Sequence, residues 1–317
     1  MNKLMAILPV VCLLFLRPVW AGSGQAGTST PDKVHTALRA IATGTPAEEA
    51  ADSLDAPSRR LLDNWLTQNA QCLNNVKPSP LKDLPWGTST LRPATASDPA
   101  CLHLLVFDWH ASGKLIAYGL TGPVRRAYLL SKPDEPLPIE KTPRSLILTV
   151  PKEPPDPLAT VVVLELEGDP QVTPLAIRSS PDDRILLHAR DVIVHGRTVR
   201  YEPEPHKNTV GYWMEPADWV RWPFIITTPG SYTVDIEQGC GKGHGGSTVH
   251  FTCNDQTFKV VVQDTGHFQN FLTRRIGQFK FDRPGEYTLE VRPQNKTSVA
   301  VMDLRSVTLT PAEKDER

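Results

Sequence analysis

The chain of 317 residues carries 34 Lys and Arg against 35 Asp and Glu, for a formal net charge of −1. These charges are scattered, which excludes a basic stripe for nucleic acid and a polybasic patch for a membrane surface. The length suits two domains rather than one. The 30 prolines, together with helix-forming residues confined to the first third, favour an all-β fold after residue 100.

Residues 1–21 have the layout of a secretory signal, with Lys3 ahead of an apolar run at 4–16 and a cleavage site at Val19-Trp20-Ala21. The run is shorter than the ~20 residues of a membrane span, and Arg17-Pro18 interrupts its end. Cleavage before Gly22 is therefore expected, with an uncleaved anchor as the alternative. No later segment is apolar for long enough to span, so the mature chain is expected to be secreted, periplasmic or extracellular. Cys12 leaves with the signal. Cys72, Cys101, Cys240 and Cys253 then allow two disulfides, pairing Cys72 with Cys101 and Cys240 with Cys253 by proximity, or four free thiols. With no C-x-x-C, zinc binding and thioredoxin-like redox chemistry are not expected.

Residues 22–75 read as helical. Thr30-Pro31 is an N-cap and first-turn pair, and Val34, Leu38 and Ile41 follow on one face until Gly44 ends the helix. Thr45-Pro46 opens another turn. After Asp55 and Pro57, Leu61, Leu62, Trp65, Leu66 and Leu73 recur with a helical period. Helices this short need a cover for their apolar stripe, either the first β unit or another chain. Residues 76–100, rich in Pro, Ser and Thr, read as a linker or an irregular wrapping segment.

Short β-rich runs then follow at 101–108, 114–118, 124–130, 145–150 and 160–167, the spacing of a β-sandwich. This first sandwich is expected over 101–175 and a junction over 176–187. A second series of strands is expected at 219–227, 231–238, 248–253, 257–263, 278–282, 287–292 and 299–309, within a unit spanning 188–311, with a tail at 312–317. Pro229-Gly230 and Pro284-Gly285 each precede a strand and suit tight antiparallel turns. The expected fold is mainly β, with two antiparallel β-sandwiches in tandem behind a short N-terminal helical segment.

Two segments resemble known modules. Residues 101–170 carry Phe107-Asp108-Trp109, Gly113-Lys114-Leu115, Tyr128-Leu129-Leu130, Leu137-Pro138-Ile139-Glu140, Pro155-Asp156-Pro157 and the run Val161 to Gly168 in the order found in the C-terminal β-sandwich of family 29 α-L-fucosidases. The resemblance reaches back to about residue 46. Leu61-Leu62-Asp63-Asn64-Trp65-Leu66-Thr67-Gln68-Asn69 is similar to the last barrel helix of those enzymes, although Ala70-Gln71-Cys72-Leu73 replaces its usual ending. The family's catalytic carboxylates lie on barrel strands upstream of this helix. A (β/α)8 barrel takes ~250 residues, and only about forty separate the signal from the helix here. Retaining glycosidases need two carboxyl groups ~5 Å apart on rigid strand ends, and Asp108 reads as a surface or turn residue. No catalytic residue is assigned.

Residues 188–311 resemble the galactose-binding-like jelly roll of family 6 carbohydrate-binding modules. The resemblance rests on Asn208-Thr209-Val210-Gly211-Tyr212-Trp213, Asp218-Trp219-Val220, Gly230-Ser231-Tyr232-Thr233-Val234, the segment Thr265 to Phe271, and Val301-Met302-Asp303-Leu304. It implies a sugar site in which aromatic plates meet the apolar face of the ring and amide or carboxylate groups read its hydroxyls. The implied plates are Tyr212 and Phe268 on neighbouring loops, with Trp213 replacing or extending the first. His267, Gln269, Asn270 and Glu215 would supply hydrogen bonds. Trp219, Trp222, Tyr232 and Tyr287 fall on strands and are expected in the core, while Tyr212, Trp213 and Phe268 are divided between plate and core. Val301 stands where the family often has a sugar-binding asparagine.

No cofactor is required. The structural calcium of that family needs hard oxygen ligands, and Asp191 and Asp303 are its candidate ligands here. Residues 239–246, Gly-rich, read as a loop between strands because no helix with Lys-Ser/Thr follows. His188, Asp191 and His195 read as a solvated surface. The function expected is that of a secreted, non-catalytic carbohydrate-binding accessory protein with a poly- or oligosaccharide as partner. The alternatives are a fucosidase-related hydrolase remnant or subunit working with a separate catalytic chain, and a structural module that docks on a glycoside hydrolase or sulfatase.

Overall fold

A computed structural model of the protein describes residues 29–82 and 84–312. The expected signal, Cys12 and residues 313–317 lie outside them. The described chain starts with helices α1 (Thr30–Ala42), α2 (Ala47–Ala51) and α3 (Ala56–Asn69). The N-cap of α1 is Ser29, one residue before the expected Thr30. Its side chain accepts from the Asp32 amide, and the Asp32 carboxylate accepts from the Ser29 amide in return. Asp55 caps α3 by accepting from the Ser58 amide at 2.9 Å.

The first sandwich comprises β1 (Lys77–Pro78), β2 (Gly87–Arg92), β3 (Cys101–Val106), β4 (Lys114–Tyr118), β5 (Val124–Leu129), β6 (Lys132–Pro136), β7 (Ile139–Lys141), β8 (Ser145–Thr149) and β9 (Thr160–Leu166). They form a six-stranded sheet ordered β1-β2-β3-β9-β5-β6 and a three-stranded sheet ordered β4-β8-β7. Residues 76–100 are therefore not a linker, since β2 is paired with β3 from Gly87↔Val106 to Arg92↔Cys101. The prolines of this segment lie outside β2 or on the edge strand β1, where a missing N–H removes no ladder bond.

All six residues of β3 are buried. Leu102, Leu104 and Val106 face the core shared with Leu115, Leu146 and Leu148. On the other face Leu105, with Phe107 and Val161, packs against Val34, Leu38, Leu62 and Trp65 of α1 and α3. A strand covered on both sides loses the usual alternation of apolar and polar residues, and Cys-Leu-His-Leu-Leu-Val is the result. The Trp65 indole N–H also donates to the Ala159 carbonyl at 2.8 Å. The apolar stripe of the helices is thus covered by this chain's own sandwich.

The second sandwich comprises β10 (Ile185–His188), β11 (Ile193–His195), β12 (Arg200–Glu202), β13 (Thr209–Gly211), β14 (Trp219–Ile226), β15 (Gly230–Cys240), β16 (Thr248–Cys253), β17 (Gln256–Val261), β18 (His267–Phe281), β19 (Gly285–Pro293) and β20 (Asp303–Pro311). One sheet runs β12-β13-β20-β15-β18, with β10 also on β20, and the facing sheet runs β11-β14-β19-β16-β17. Trp222, Phe224, Tyr232, Phe279 and Phe281 fill the space between them. Tyr287 is buried as expected. Trp219 is not in the core, but lies stacked against His195 with centroids 3.7 Å apart and the Arg292 guanidinium 3.3 Å from its ring centre.

Two further expectations change. The final strand begins at Asp303 rather than 299, and residues 267–271 belong to the start of the long strand β18 rather than to a loop. The β15–β18 pairing is irregular there, moving from Gln238↔Leu272 to Cys240↔His267. That irregularity breaks the period-two pattern by which a strand is recognised. The junction is also tied down at both sides. The Tyr118 hydroxyl accepts from the Val194 amide at 3.2 Å, the Ala111 amide donates to Arg197 O at 3.1 Å, and Ile177 bridges to Phe224. Cys72, Cys101, Cys240 and Cys253 are buried, unpaired thiols, which leaves neither disulfide in place. No helix among the described residues is long and apolar enough to cross a membrane.

Candidate functional site

At one end of the second sandwich, β13 stops at Gly211 and the chain turns sharply. Tyr212 adopts a left-handed backbone, with φ 56°, a conformation uncommon for a residue with a β-carbon. The turn sends neighbouring aromatics opposite ways. Tyr212 is 47% exposed, while Trp213 is 0% exposed and donates its indole N–H to Asp218 O at 2.9 Å. Trp213 is therefore a core residue, and the expectation that it serves as a plate is withdrawn.

Asp218 fixes this end. Its buried carboxylate accepts from the amides of Arg197, Thr198 and Val199 at 2.8 to 2.9 Å and from the Thr198 hydroxyl at 2.7 Å. That binds the 196–199 loop under the 212–218 loop, leaving Met214 and Glu215 exposed above it. Arg200 lies over one face of Tyr212, its guanidinium carbon 3.6 Å from the ring centre, in the range of a cation–π contact.

Phe268 is half-buried on β18. His244 stacks on it with centroids 5.6 Å apart and is itself held by Ser298. A β-carbon on Gly241 would come within 2.7 Å of both rings, and one on Gly239 would meet the Phe268 carbonyl. These two glycines let the ring and the backbone of Phe268 settle against β15, a role the Gly-rich sequence does not announce. His267 and Asn270 are exposed, and the Asn270 amide donates to Thr265 O.

Between the two aromatic segments lies a buried carboxylate. Asp303, 4% exposed, opens β20 and accepts from the Gln269 side-chain amide at 3.4 Å. Glu202, 7% exposed, points at the same spot. A β-carbon added to Gly211 would stand 2.7 Å from Glu202 Oε2 and 3.1 Å from Asp303 Oδ1. Glu202 is paired with Lys207 at 3.1 Å. Burial, followed by the negative charge of Glu202, pushes the Asp303 carboxyl up to about 7. Val301 is buried, and its amide donates to Trp213 O at 2.9 Å. It fills a core position at the place where the resembling family often holds a sugar-binding asparagine.

Gln269 thus reaches Asp303, Gly211 before Tyr212 lies against Glu202 and Asp303, and Phe268 lies at the same end of the sheet. Glu202, Arg200 and His244, which the sequence analysis did not single out, complete the arrangement. Asp191 belongs elsewhere. It follows β10 and pairs with Arg144 of the first sandwich at 3.4 Å and with Arg190 at 3.7 Å. His188 accepts from the Arg190 amide at 3.1 Å and meets Asn208, while His195 stacks on Trp219, so these three residues are engaged in packing rather than solvated. Among the described residues no group of three or more His, Cys, Asp or Glu could hold a metal ion. With Asp191 drawn to arginines and Asp303 set beside Gln269, the residues present do not fit the calcium site of that family.

The fold is that of a mainly β protein with two antiparallel β-sandwiches in tandem behind N-terminal helices, with Tyr212 and Phe268 at one end of the second sandwich. Residues 200–314 match the family model DUF5077, a domain of unknown function. No curated protein matches the sequence. Among solved structures, the chain is similar to an α-L-fucosidase from Vibrio sp. strain EJY3, at 18% identity over 90% of this chain and 52% of that one, with a TM-score of 0.38. It therefore spans about half the length of that enzyme. It is also similar to the C-terminal CBM6 of the laminarinase LamC from Zobellia galactanivorans, at 16% identity over 40% of this chain and 98% of that one, TM-score 0.34. A family 35 carbohydrate-binding module from Clostridium thermocellum is similar at 14% identity over 41% and 98%, TM-score 0.34.

Proposed function

We propose that the protein is an exported, non-catalytic carbohydrate-binding protein whose site is the open end of the second sandwich. One observation carries the reading: Tyr212 is held out at 47% exposure by a left-handed turn while its neighbour Trp213 is buried. Backbone strain of this kind persists where the surroundings enforce it, and it clusters at ligand sites. Tyr212 presents a flat apolar surface with a polar tip, the chemistry suited to the face of a pyranose. Phe268 is the second plate, and Glu215, His267, Gln269 and Asn270 are placed to read hydroxyls at the rim. The first sandwich, with its helices, is an accessory unit of the kind attached to fucosidases.

Binding accounts for this end better than hydrolysis. The buried carboxylates of this end, Glu202 and Asp303, are 7% and 4% exposed beneath the Gly211 backbone, and a glycosidic bond has no way to pass between them. The reading is tested by affinity electrophoresis of the purified chain in laminarin, galactomannan, glucuronoxylan and fucoidan. Retention by at least one polymer, lost in Tyr212→Ala and in Phe268→Ala, is expected. A folded protein that none of them retards would sink the proposal, and release of free fucose from aryl fucosides would restore the hydrolase reading.

A further inference from the structure

The loop between β3 and β4, residues 107–113, leaves the first sandwich and meets the second at the 196–199 loop. It is rigid at its base. The buried Trp109 indole donates to Pro151 O at 2.8 Å, and the Gly113 amide closes a turn on His110 O at 3.1 Å. From this turn the Ala111 amide donates to Arg197 O at 3.1 Å. The His110 ring is oriented by its own loop. Its Nδ1 accepts from the Ser112 amide at 3.1 Å and from the Ser112 hydroxyl at 2.7 Å, which leaves the ring proton on Nε2. Nε2 donates to Val199 O at 2.9 Å. Val199 is 0% exposed, so this bond is made out of reach of water, where a lost partner is costly.

Two short routes lead from the gripped loop to Tyr212. Along the first, the Asp218 carboxylate accepts from the amides of Arg197, Thr198 and Val199, while Asp218 O accepts from the indole of Trp213, the residue after Tyr212. The Met214 amide also donates to the Thr198 hydroxyl at 3.4 Å. Along the second, Val199 is followed by Arg200. Arg200 pairs with Gly211, the residue before Tyr212, and lays its guanidinium carbon 3.6 Å from the centre of the Tyr212 ring. The residues on both sides of Tyr212 are thus tied to the segment that His110 and Ala111 hold.

Resting on the sugar-binding reading above, we propose that His110 of the first sandwich is a positioning residue for the Tyr212 plate, so that the two sandwiches form the sugar site together. The ring seats Val199, which fixes Arg200 over one face of Tyr212 and keeps the backbone amides of 197–199 on Asp218. Without that seat the loop settles differently, and the left-handed Tyr212 turn loses its fixed angle. The first sandwich is then a brace for the site, and a contact outside the sugar's reach controls affinity.

Two measurements on the full chain separate this inference from the reading beneath it. In ¹H–¹⁵N spectra without sugar, His110→Leu is expected to shift the amides of Val199, Arg200 and Tyr212 and the indole of Trp213, with the amides of β16 unmoved. In affinity electrophoresis through whichever of the four polysaccharides retains the protein, its dissociation constant is expected to rise about fivefold, the weight of one hydrogen bond. His110→Gln, whose side-chain N–H replaces the Nε2 donor, should restore both readouts. Ser112→Ala, which removes one of the two donors that orient the ring, should act in the same direction and serves if His110→Leu does not fold. Equal retention of the parent and the folded variant, or a loss that His110→Gln does not restore, overturns the positioning role and leaves sugar binding intact. Retention of the parent by no polymer overturns the sugar-binding reading and the positioning role together.

Discussion

The two sandwiches dispose of their aromatic residues in opposite ways. In the first, Trp86 and Trp109 donate to the carbonyls of Ile116 and Pro151, each at 2.8 Å. Phe107 is faced by the His35 ring, centroids 4.4 Å apart, and by Arg39. The helices turn an outer sheet face into interior, and Trp86, Phe107, Trp109 and Tyr118 are spent on packing. In the second, the core takes Trp213, Trp222, Phe224 and Phe279, but Tyr212 remains half exposed and Phe268 half buried at one end. An apolar residue in the first unit thus reports on cohesion, and one at the end of the second reports on a surface kept available.

The sharpest way to break that contrast is to compare adjacent residues on either side of the Tyr212 turn. Trp213→Ala removes a fully buried indole and its bond to Asp218 O, and is expected to cost about 3 to 5 kcal/mol in denaturant unfolding. Tyr212→Ala removes a ring half in solvent and is expected to cost less than about 1 kcal/mol. Comparable losses at the two positions would mean that Tyr212 is a structural plug, and the end of the sandwich would then be closed.

A second contrast is electrostatic. His103, on β3, is 2% exposed, and burial pushes its imidazole down to about 4. Because the unfolded chain takes up that proton at higher pH, the first sandwich loses stability as pH falls from about 6.5 to 4, by up to about 3 kcal/mol. Asp303 behaves in the reverse sense. Its folded carboxyl, near 7, holds a proton that the unfolded chain releases near 4. The second sandwich is therefore most stable below about pH 4 with respect to this group and loses up to about 4 kcal/mol as pH rises to 7. Unfolding monitored by amide exchange in each sandwich should show opposite pH slopes, flattened by His103→Leu in the first and by Asp303→Asn in the second. Slopes of the same sign would show that the two units unfold as one.

Much of the fold is legible because local chemistry repeats it. Proline-capped helices, a fully apolar β3 and alternating strands such as β16 all announce themselves. What fails is where tertiary structure overrides composition. The stretch 76–100 looks like a linker because its prolines cluster, although Gly87–Arg92 contains none. The start of β18 looks like a loop because its pairing is irregular. At the proposed site, Tyr212 and Phe268 are visible in sequence as aromatics near glycines. Glu202 is not, since a lone acidic residue on a three-residue strand gains meaning only when β13 and β20 bring it to Asp303. Trp213 shows the same limit, because one backbone torsion decides which of two neighbouring aromatics faces solvent.

The smallest effects expected concern the outer polar faces. Each sandwich has a cross-strand ion pair there, Arg126 with Glu165 at 2.8 Å and Arg275 with Asp235 at 3.0 Å. Exposed pairs contribute at most about 1 kcal/mol because water screens them and long side chains lose freedom, so Arg126→Met and Arg275→Met should each fall below that. They should nevertheless differ. Arg126 also lies over the ring of Tyr128, 4.5 Å from its centre, whereas Arg275 is joined to the Asp235 carboxylate through two parallel bonds. Raising salt to about 1 M shortens the screening length to about 3 Å and should remove most of the Arg275 contribution, while the packing of Arg126 on Tyr128 persists. Equal salt sensitivity of the two variants would remove that distinction and assign both faces the same purely electrostatic role.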